Sequence, residues 1–173
     1  MLQGLPPLTL LHVAISLVGI FSGLIVLFHG LLASRRLSGW TSLFLWSTVA
    51  TSLSGFILPA TRFLPSHATG IVSMIALAVA IPALYKFRLA GGWRRAYVVS
   101  AVAALYFNVF VLVVQLFLKV PALKALAPTQ KEPPFLIAQG AVLLAFAVLG
   151  FLAVRRFRPA PAAPAAAGAA ALP

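Results

Sequence analysis

The sequence predicts an all-α protein, a polytopic transmembrane helical bundle with about five spans. Hydrophobic residues make up 62% of the 173-residue chain, its mean hydropathy is +1.09, and charged residues amount to 8%. A water-soluble domain is about 25% charged, so this chain has too few polar groups to cover a globule. Its apolar stretches are continuous over roughly 20 residues and do not alternate, which favours membrane helices over the short strands of a barrel.

Five stretches are long and apolar enough to cross a bilayer as helices. They lie near residues 8–33, 40–58, 68–85, 96–118 and 135–154. The second stretch carries the most serine and threonine and is the weakest of the five. Together they predict one transmembrane domain over residues 1–158, followed by a disordered Ala/Pro-rich cytoplasmic tail over residues 159–173.

Small residues recur at helical spacing along these stretches. Lipid offers no hydrophobic drive between helices, so close backbone approach at small residues must hold a bundle together. The first stretch contains a G-x-x-x-G pattern in GIFSG, and the second, third and fifth stretches carry Gly, Ala, Ser and Thr on one face. The residues predicted to pack helices together are Gly19, Gly23, Gly55, Ser73 and Gly150.

The loop between the fourth and fifth stretches is the longest of the predicted outer loops. Its segment PALKALAP is framed by Pro121 and Pro128, which predicts a short helix lying at the membrane interface. The following TQKEPP is predicted to be extended, because residues that precede proline disfavour the helical conformation.

The cations are concentrated on one predicted side of the bundle. Nine of the 13 Lys and Arg residues follow the first, third and fifth stretches. They are Arg35, Arg36, Lys86, Arg88, Arg94, Arg95, Arg155, Arg156 and Arg158. The positive-inside rule then predicts that the N-terminus faces out and the C-terminus faces in. The net charge of +12 comes without a basic stripe or a nucleic-acid-reading motif, so the predicted partner is the lipid bilayer, not nucleic acid.

A candidate polar pocket lies at the outer half of the fourth stretch. Asn108 and Gln115 are seven residues apart and share a helix face, Lys119 extends that face, and Gln139 starts the fifth stretch. Two interpretations are open, a narrow path for a solute and interhelical hydrogen bonds, and the second is favoured. Glu132, the single acidic residue, is interpreted as a solvated loop charge, with a cation or proton site as the alternative.

Histidine offers the one candidate for a cofactor site. His12 and His67 fall at similar predicted depth, where two facing imidazoles suit axial ligation of haem b; the alternative is that both are packing residues. The chain has no cysteine, and no predicted span contains Asp or Glu, which excludes thiolate sites and carboxylate proton relays within the spans. The favoured prediction is no cofactor and no metal.

Three runs of the sequence carry a resemblance to known proteins. They are LYFNVFVLVVQLFLKVPALKALAPTQKEPPF, GWTSLFLWSTVATSLSGF and LAGGWRRAYVV. With them the chain, except for its Ala/Pro tail, resembles a family of uncharacterised small bacterial inner-membrane proteins. The resemblance implies a helical membrane fold in the bacterial inner membrane. It implies no activity, substrate or cofactor.

The function predicted from the sequence is non-catalytic. We expect an accessory or assembly partner of another membrane protein, or a self-associating protein, that acts through its small-residue faces. The first alternative is a small-solute or ion conduit lined by Asn108, Gln115, Lys119 and Gln139. The second alternative is a haem-b electron carrier that uses His12 and His67.

Overall fold

The computed structural model describes residues 7–58 and 65–158, without the side chains of residues 65–67. All regular elements in these ranges are helical. They are α1 (Pro7–Ile25), which continues as a π-helical segment (Val26–Leu31), then α2 (Ser38–Ile57), α3 (Pro65–Tyr85), α4 (Trp93–Lys119), α5 (Pro121–Leu126) and α6 (Pro133–Arg156). The predicted tail and Arg62 lie outside the described residues.

Within the described ranges, four helical stretches are long and apolar enough to cross a membrane. They are Pro7–Leu31, Ala68–Tyr85, Trp93–Lys119 and Pro133–Arg156. The prediction of an all-helical protein with membrane-type helices is confirmed. The second predicted span corresponds to α2, which is long enough but is not one of the four. Its seven Ser and Thr residues between positions 41 and 54 lower its hydropathy.

Helix α4 is the centre of the bundle. It packs against α1, α2, α3, α5 and α6, while α1 lies along α2, and α3 also contacts α2. The largest buried cluster includes Leu27, Phe44, Leu45, Leu77 and Leu105, each at most 2% exposed. A smaller cluster forms where α5 folds back between α4 and α6. Interior packing is therefore shared among five long helices, since α1, α2, α3 and α6 all contact α4.

The outer surface is apolar as well. Large side chains such as Ile137, Ile57, Leu144 and Phe21 are between 63% and 70% exposed. Polar hydroxyls such as that of Thr48 are buried instead. A water-soluble protein places its charged and polar residues outside, so this distribution is that of a protein surrounded by lipid.

Glycines set the helix spacing on the seam formed by α1, α2 and α4. A Cβ added to Gly23 would lie 2.6 Å from Leu105 Cδ1 and 2.8 Å from Phe44 Cδ2. A Cβ on Gly19 would lie 3.2 Å from Ser47 Oγ. Residues larger than glycine at position 23 would therefore push α1 away from α2 and α4.

The remaining predicted packing residues also lie between helices or face a neighbour. Gly150 of α6 faces Val102 of α4, and Gly55 faces the ring of His12. Ser73 of α3 is 3% exposed, and its hydroxyl has no hydrogen-bond partner in the part of the chain that the structure describes.

Candidate functional site

The residues of the predicted polar pocket are separated in the structure. Asn108 is buried, and its amide Nδ2 donates to Thr48 Oγ1 at 3.1 Å, which links α4 to α2. Seven residues further along α4 the same face is no longer covered, so the side chains of Gln115 and Lys119 are exposed. The amides of Asn108 and Gln115 therefore do not share one environment.

Gln139 links α6 to α4. Its side chain is 8% exposed, and its Nε2 donates to the backbone carbonyl of Phe110 at 3.2 Å. Its Oε1 is buried without a hydrogen-bond partner among the described residues. Together with the bond from Asn108 to Thr48, this geometry corresponds to polar contacts that hold helices together.

Glu132 is the N-cap residue of α6 and lies at the end of the bundle that contains α5. Its Oε1 accepts hydrogen bonds from the hydroxyl of Thr129 at 2.8 Å and from the Thr129 backbone N–H at 3.2 Å. Its Oε2 accepts from the Lys131 backbone N–H at 3.0 Å. Desolvation opposes the charged form, but these hydrogen bonds outweigh it and lower the pKa of Glu132. A carboxylate at this position also complements the positive end of the helix dipole.

His12 of α1 lies against α2. Its Nδ1 is 2.8 Å from Ser54 Oγ, and its ring faces Gly55. The side chain of His67 lies outside the described residues, so the predicted pairing with His12 stays a prediction.

The most elaborate polar site lies at the basic end, which we define as the end formed by the α1–α2 loop, the α3–α4 loop and the end of α6. A cavity of about 520 Å³ opens there between these elements. We call it the basic cavity. Three arginines line it, namely Arg35, Arg36 and Arg88. Its other polar groups are two phenols and three hydroxyls, those of Tyr85, Tyr97, Ser38, Thr41 and Ser42.

Comparison of the chain with protein-family profiles, with curated proteins and with solved structures finds no match.

The backbone around the basic cavity departs from regular geometry. The π-helical segment contributes Val26, Gly30 and Leu31 to the cavity wall. Two residues of the α3–α4 loop, Arg88 and Leu89, line the cavity with φ angles of 48° and 64°. Such left-handed conformations cost about 1–2 kcal/mol for residues other than glycine, and they concentrate at functional sites, as π-helical turns do.

Hydrogen bonds tie the elements of the basic end together. The hydroxyls of Ser42 and Tyr85 are 2.8 Å apart and join α2 to α3. The Arg158 backbone N–H donates to Ser34 Oγ at 2.8 Å, which joins the end of α6 to the α1–α2 loop. The bond between Ser42 and Tyr85 thus connects two residues of the cavity wall, and the bond between Arg158 and Ser34 lies outside it.

Arg94 links the start of α4 to the C-terminal end of α6. Its guanidinium donates one hydrogen bond to the backbone carbonyl of Val154, at 3.3 Å, and another to the backbone carbonyl of Phe157. These carbonyls are at the C-terminal end of α6, where a cation complements the helix dipole and satisfies acceptors that the helix leaves free. Arg94 is thus engaged with α6, and it does not line the basic cavity.

In the sequence, Arg35, Arg36 and Arg88 indicate membrane orientation and nothing more specific. The pair Arg35–Arg36 is followed by Ser38, Thr41 and Ser42 at helical spacing, which is a local signal for a polar wall. No sequence pattern connects this wall to Arg88, which lies 46 or more residues further along the chain. Packing of α2 beside α3 brings them together.

Proposed function

We propose that the protein is a five-span integral protein of the bacterial inner membrane, with its N-terminus outside and its C-terminus in the cytoplasm. The concentration of nine cations at the basic end supports this orientation. The location in a bacterial inner membrane is the one expected from the resemblance described for the sequence.

Two observations support α2 as the fifth span. Arg35 and Arg88 line one cavity, although two helices, α2 and α3, lie between them in the chain. If α3 crosses the membrane, α2 must cross it back. The exposed face of α2 is also apolar, with Trp46, Leu53 and Ile57 between 50% and 68% exposed, whereas Thr48 and Ser52 point inward. Its low hydropathy thus comes in part from buried residues that do not meet lipid, namely Thr41, Thr48 and Ser52.

Single-cysteine labelling tests this topology, because the chain has no cysteine of its own. Arg35→Cys, Arg88→Cys and Lys131→Cys are expressed separately and treated in intact cells with a membrane-impermeant maleimide. We expect labelling of Lys131→Cys only, and labelling of the other two after permeabilisation. Arg35→Cys and Arg88→Cys on opposite sides would overturn the assignment of α2.

For function, we infer a non-catalytic protein that assembles in the membrane through the outer face of α6. One observation carries this inference. A Cβ added to Gly140 would meet no atom within 4 Å, whereas Gly19, Gly23 and Gly150 are in contact with other helices of the bundle. Gly140 and Ala147 are seven residues apart on an exposed part of α6, where they permit close approach of another helix.

The partner that we propose for this face is a second copy of the chain. Between Phe135 and Val154, α6 carries no charged residue, so the face does not repel its own copy. A two-fold axis brings the same small residues of both copies together, which is the usual symmetry of homodimers.

Self-association in liposomes tests the inference. Donor- and acceptor-labelled protein is mixed at increasing dilution in lipid, and energy transfer is measured. We expect Gly140→Leu combined with Ala147→Leu to weaken association by about tenfold, because bulky side chains separate the helices. Ala141→Leu combined with Ala145→Leu is the matched control, since these exposed residues lie about 120° around the helix axis. Unchanged association of the first variant, or a monomeric wild type, would refute the proposal.

A further inference from the structure

The basic cavity has positive charge that the protein itself does not neutralise. Arg35, Arg36 and Arg88 line it, and the chain contains one acidic residue. That residue, Glu132, caps α6 at the end that contains α5, away from the basic end. The guanidinium groups therefore lack any carboxylate side chain of this chain as a partner. An anion from outside is the remaining counter-charge.

The donors in the cavity suit a phosphate group. Arginine offers planar, paired N–H donors that match phosphate oxygens, and it remains charged at any physiological pH. The exposed hydroxyl of Ser38 adds a donor to those of the arginines. Thr41 and Tyr97, which are buried and hydrogen-bonded to each other, form part of the inner wall. The volume of about 520 Å³ falls within the range of small-ligand sites.

A second feature extends the cavity into the apolar region. A groove between α1 and α2 on the outer surface is lined by Ala14, Ile15, Val18, Leu43, Trp46, Ser47 and Ala50, together with Ser42. Ser42 also lines the basic cavity. The groove and the cavity are therefore adjacent at Ser42, and the other α2 residues of the groove, up to Ala50, lie further from the basic end. A molecule with an anionic head and an apolar chain fits both features at once.

Aromatic residues place the cavity at the level of the membrane surface. Trp93 stacks on Phe87 with ring centroids 3.9 Å apart, and both belong to the region where α3 ends and α4 begins. Trp40 and Tyr85 are 41% and 47% exposed at the same end. Tryptophan and tyrosine concentrate at the headgroup level of bilayers. Basic pockets between membrane helices on the cytoplasmic side bind anionic headgroups.

We propose that the basic cavity binds the phosphate headgroup of an anionic phospholipid and that one acyl chain of this lipid lies in the groove between α1 and α2. Arg35, Arg36 and Arg88 contact the phosphate. The π-helical segment and the left-handed Arg88 and Leu89 shape the cavity for it. The site does not depend on self-association through α6.

Lipid retention tests the site. The full chain in mild neutral detergent is titrated with phosphatidylglycerol or phosphatidylcholine, and bound lipid is counted by native mass spectrometry. We expect preferential binding of phosphatidylglycerol. The combination of Arg35→Gln, Arg36→Gln and Arg88→Gln should weaken it at least about tenfold. The control combination of Arg95→Gln, Arg155→Gln and Arg156→Gln changes the charge equally at the same end but outside the cavity. It should bind as the wild type does.

A second set of variants leaves every arginine in place. Ser38→Phe fills the cavity, whereas Gly39→Phe adds the same ring where a Cβ meets no atom within 4 Å. Ala50→Phe fills the groove, and Ala78→Phe adds a ring to an exposed position of α3. We expect Ser38→Phe and Ala50→Phe to lose lipid severalfold and both controls to retain it. These variants keep the test decisive if the triple arginine variant does not fold.

Inorganic phosphate separates a lipid from a free anion. At millimolar concentration it should not displace phosphatidylglycerol or raise the unfolding temperature as the lipid does. If it acts as well as the lipid and Ala50→Phe has no effect, the cavity is a site for a free phosphate and the lipid assignment is overturned. Equal binding of both lipids, or equal losses in the two triple arginine variants, would also overturn it, because the attraction would then be unspecific.

Discussion

The seam between α1, α2 and α4 and the outer face of α6 use the same small residue in opposite ways. In the seam, Gly23 has no room for a single methyl group, because Leu105 and Phe44 lie against its Cα. On α6, Gly140 faces open space. A glycine in a membrane helix is therefore a packing residue of its own chain only where another helix already covers it. Where none covers it, its small size matters only for contacts with molecules outside the chain.

The largest expected effect is at Gly23. Gly23→Ala should lower the free energy of unfolding by about 1–3 kcal/mol, because the new methyl group overpacks the seam. Gly140→Ala is the matched control and should cause no loss, with a gain of up to about 1 kcal/mol from helix propensity. Reversible unfolding in mixed micelles, followed by circular dichroism, measures both. Equal changes in the free energy of unfolding for the two substitutions would contradict the difference in packing between the seam and the outer face of α6.

The next effect is at Asn108, the polar contact of the seam. Asn108→Leu removes the donor to Thr48 and should cost about 0.6–2 kcal/mol, the range of hydrogen bonds between membrane helices. Gln115→Leu, on the same face of α4 but exposed, should change stability by no more than a few tenths of a kcal/mol. The same unfolding assay compares the two. A larger loss for Gln115→Leu would contradict the geometry described for α4.

A smaller effect is expected where α6 ends. Arg94→Gln removes a charged donor to the carbonyls of Val154 and Phe157 and should cost about 0.3–1 kcal/mol. Hydrogen exchange should increase in the last turn of α6 and remain unchanged in the seam. Arg95→Gln, an exposed neighbour with the same charge, is the control and should leave exchange unaltered. Faster exchange in both variants would show a general charge effect.

The smallest effect is the pH response of Glu132, at the start of α6. Its pKa in the folded protein lies below its ordinary value of 4.5, so its hydrogen bonds favour folding above that value. This contribution is lost as the pH falls through the lowered pKa. In Glu132→Gln, the free energy of unfolding should therefore decrease slightly less on acidification than in the wild type. Thr129→Val should raise the pKa of Glu132 toward 4.5. Unfolding measured between pH 3 and 6 in steps of about half a unit, with NMR titration of the carboxyl, checks both. An unchanged pKa in Thr129→Val would contradict the assigned cause.

Much of the fold was predictable because it depends on local composition. The predicted spans near 68–85, 96–118 and 135–154 lie within α3, α4 and α6. Periodicity also predicted that Asn108 and Gln115 share a face of α4. It could not predict that the face is covered at Asn108 and bare at Gln115, because coverage depends on where α1 and α2 pass and end.

By itself, the sequence determined that this chain is an all-helical protein with membrane-type helices, and that nine of its 13 cations follow the first, third and fifth apolar stretches. Long, continuous apolar runs in a bilayer satisfy their backbone hydrogen-bonding groups by forming helices. The Lys and Arg residues of each loop can be counted directly along the sequence. Only the tertiary structure decided which residues meet. It brought Arg35, Arg36 and Arg88 to one cavity, covered Gly23 and left Gly140 bare. These outcomes depend on helix order and rotation within the bundle, which arise from contacts between residues far apart in the chain.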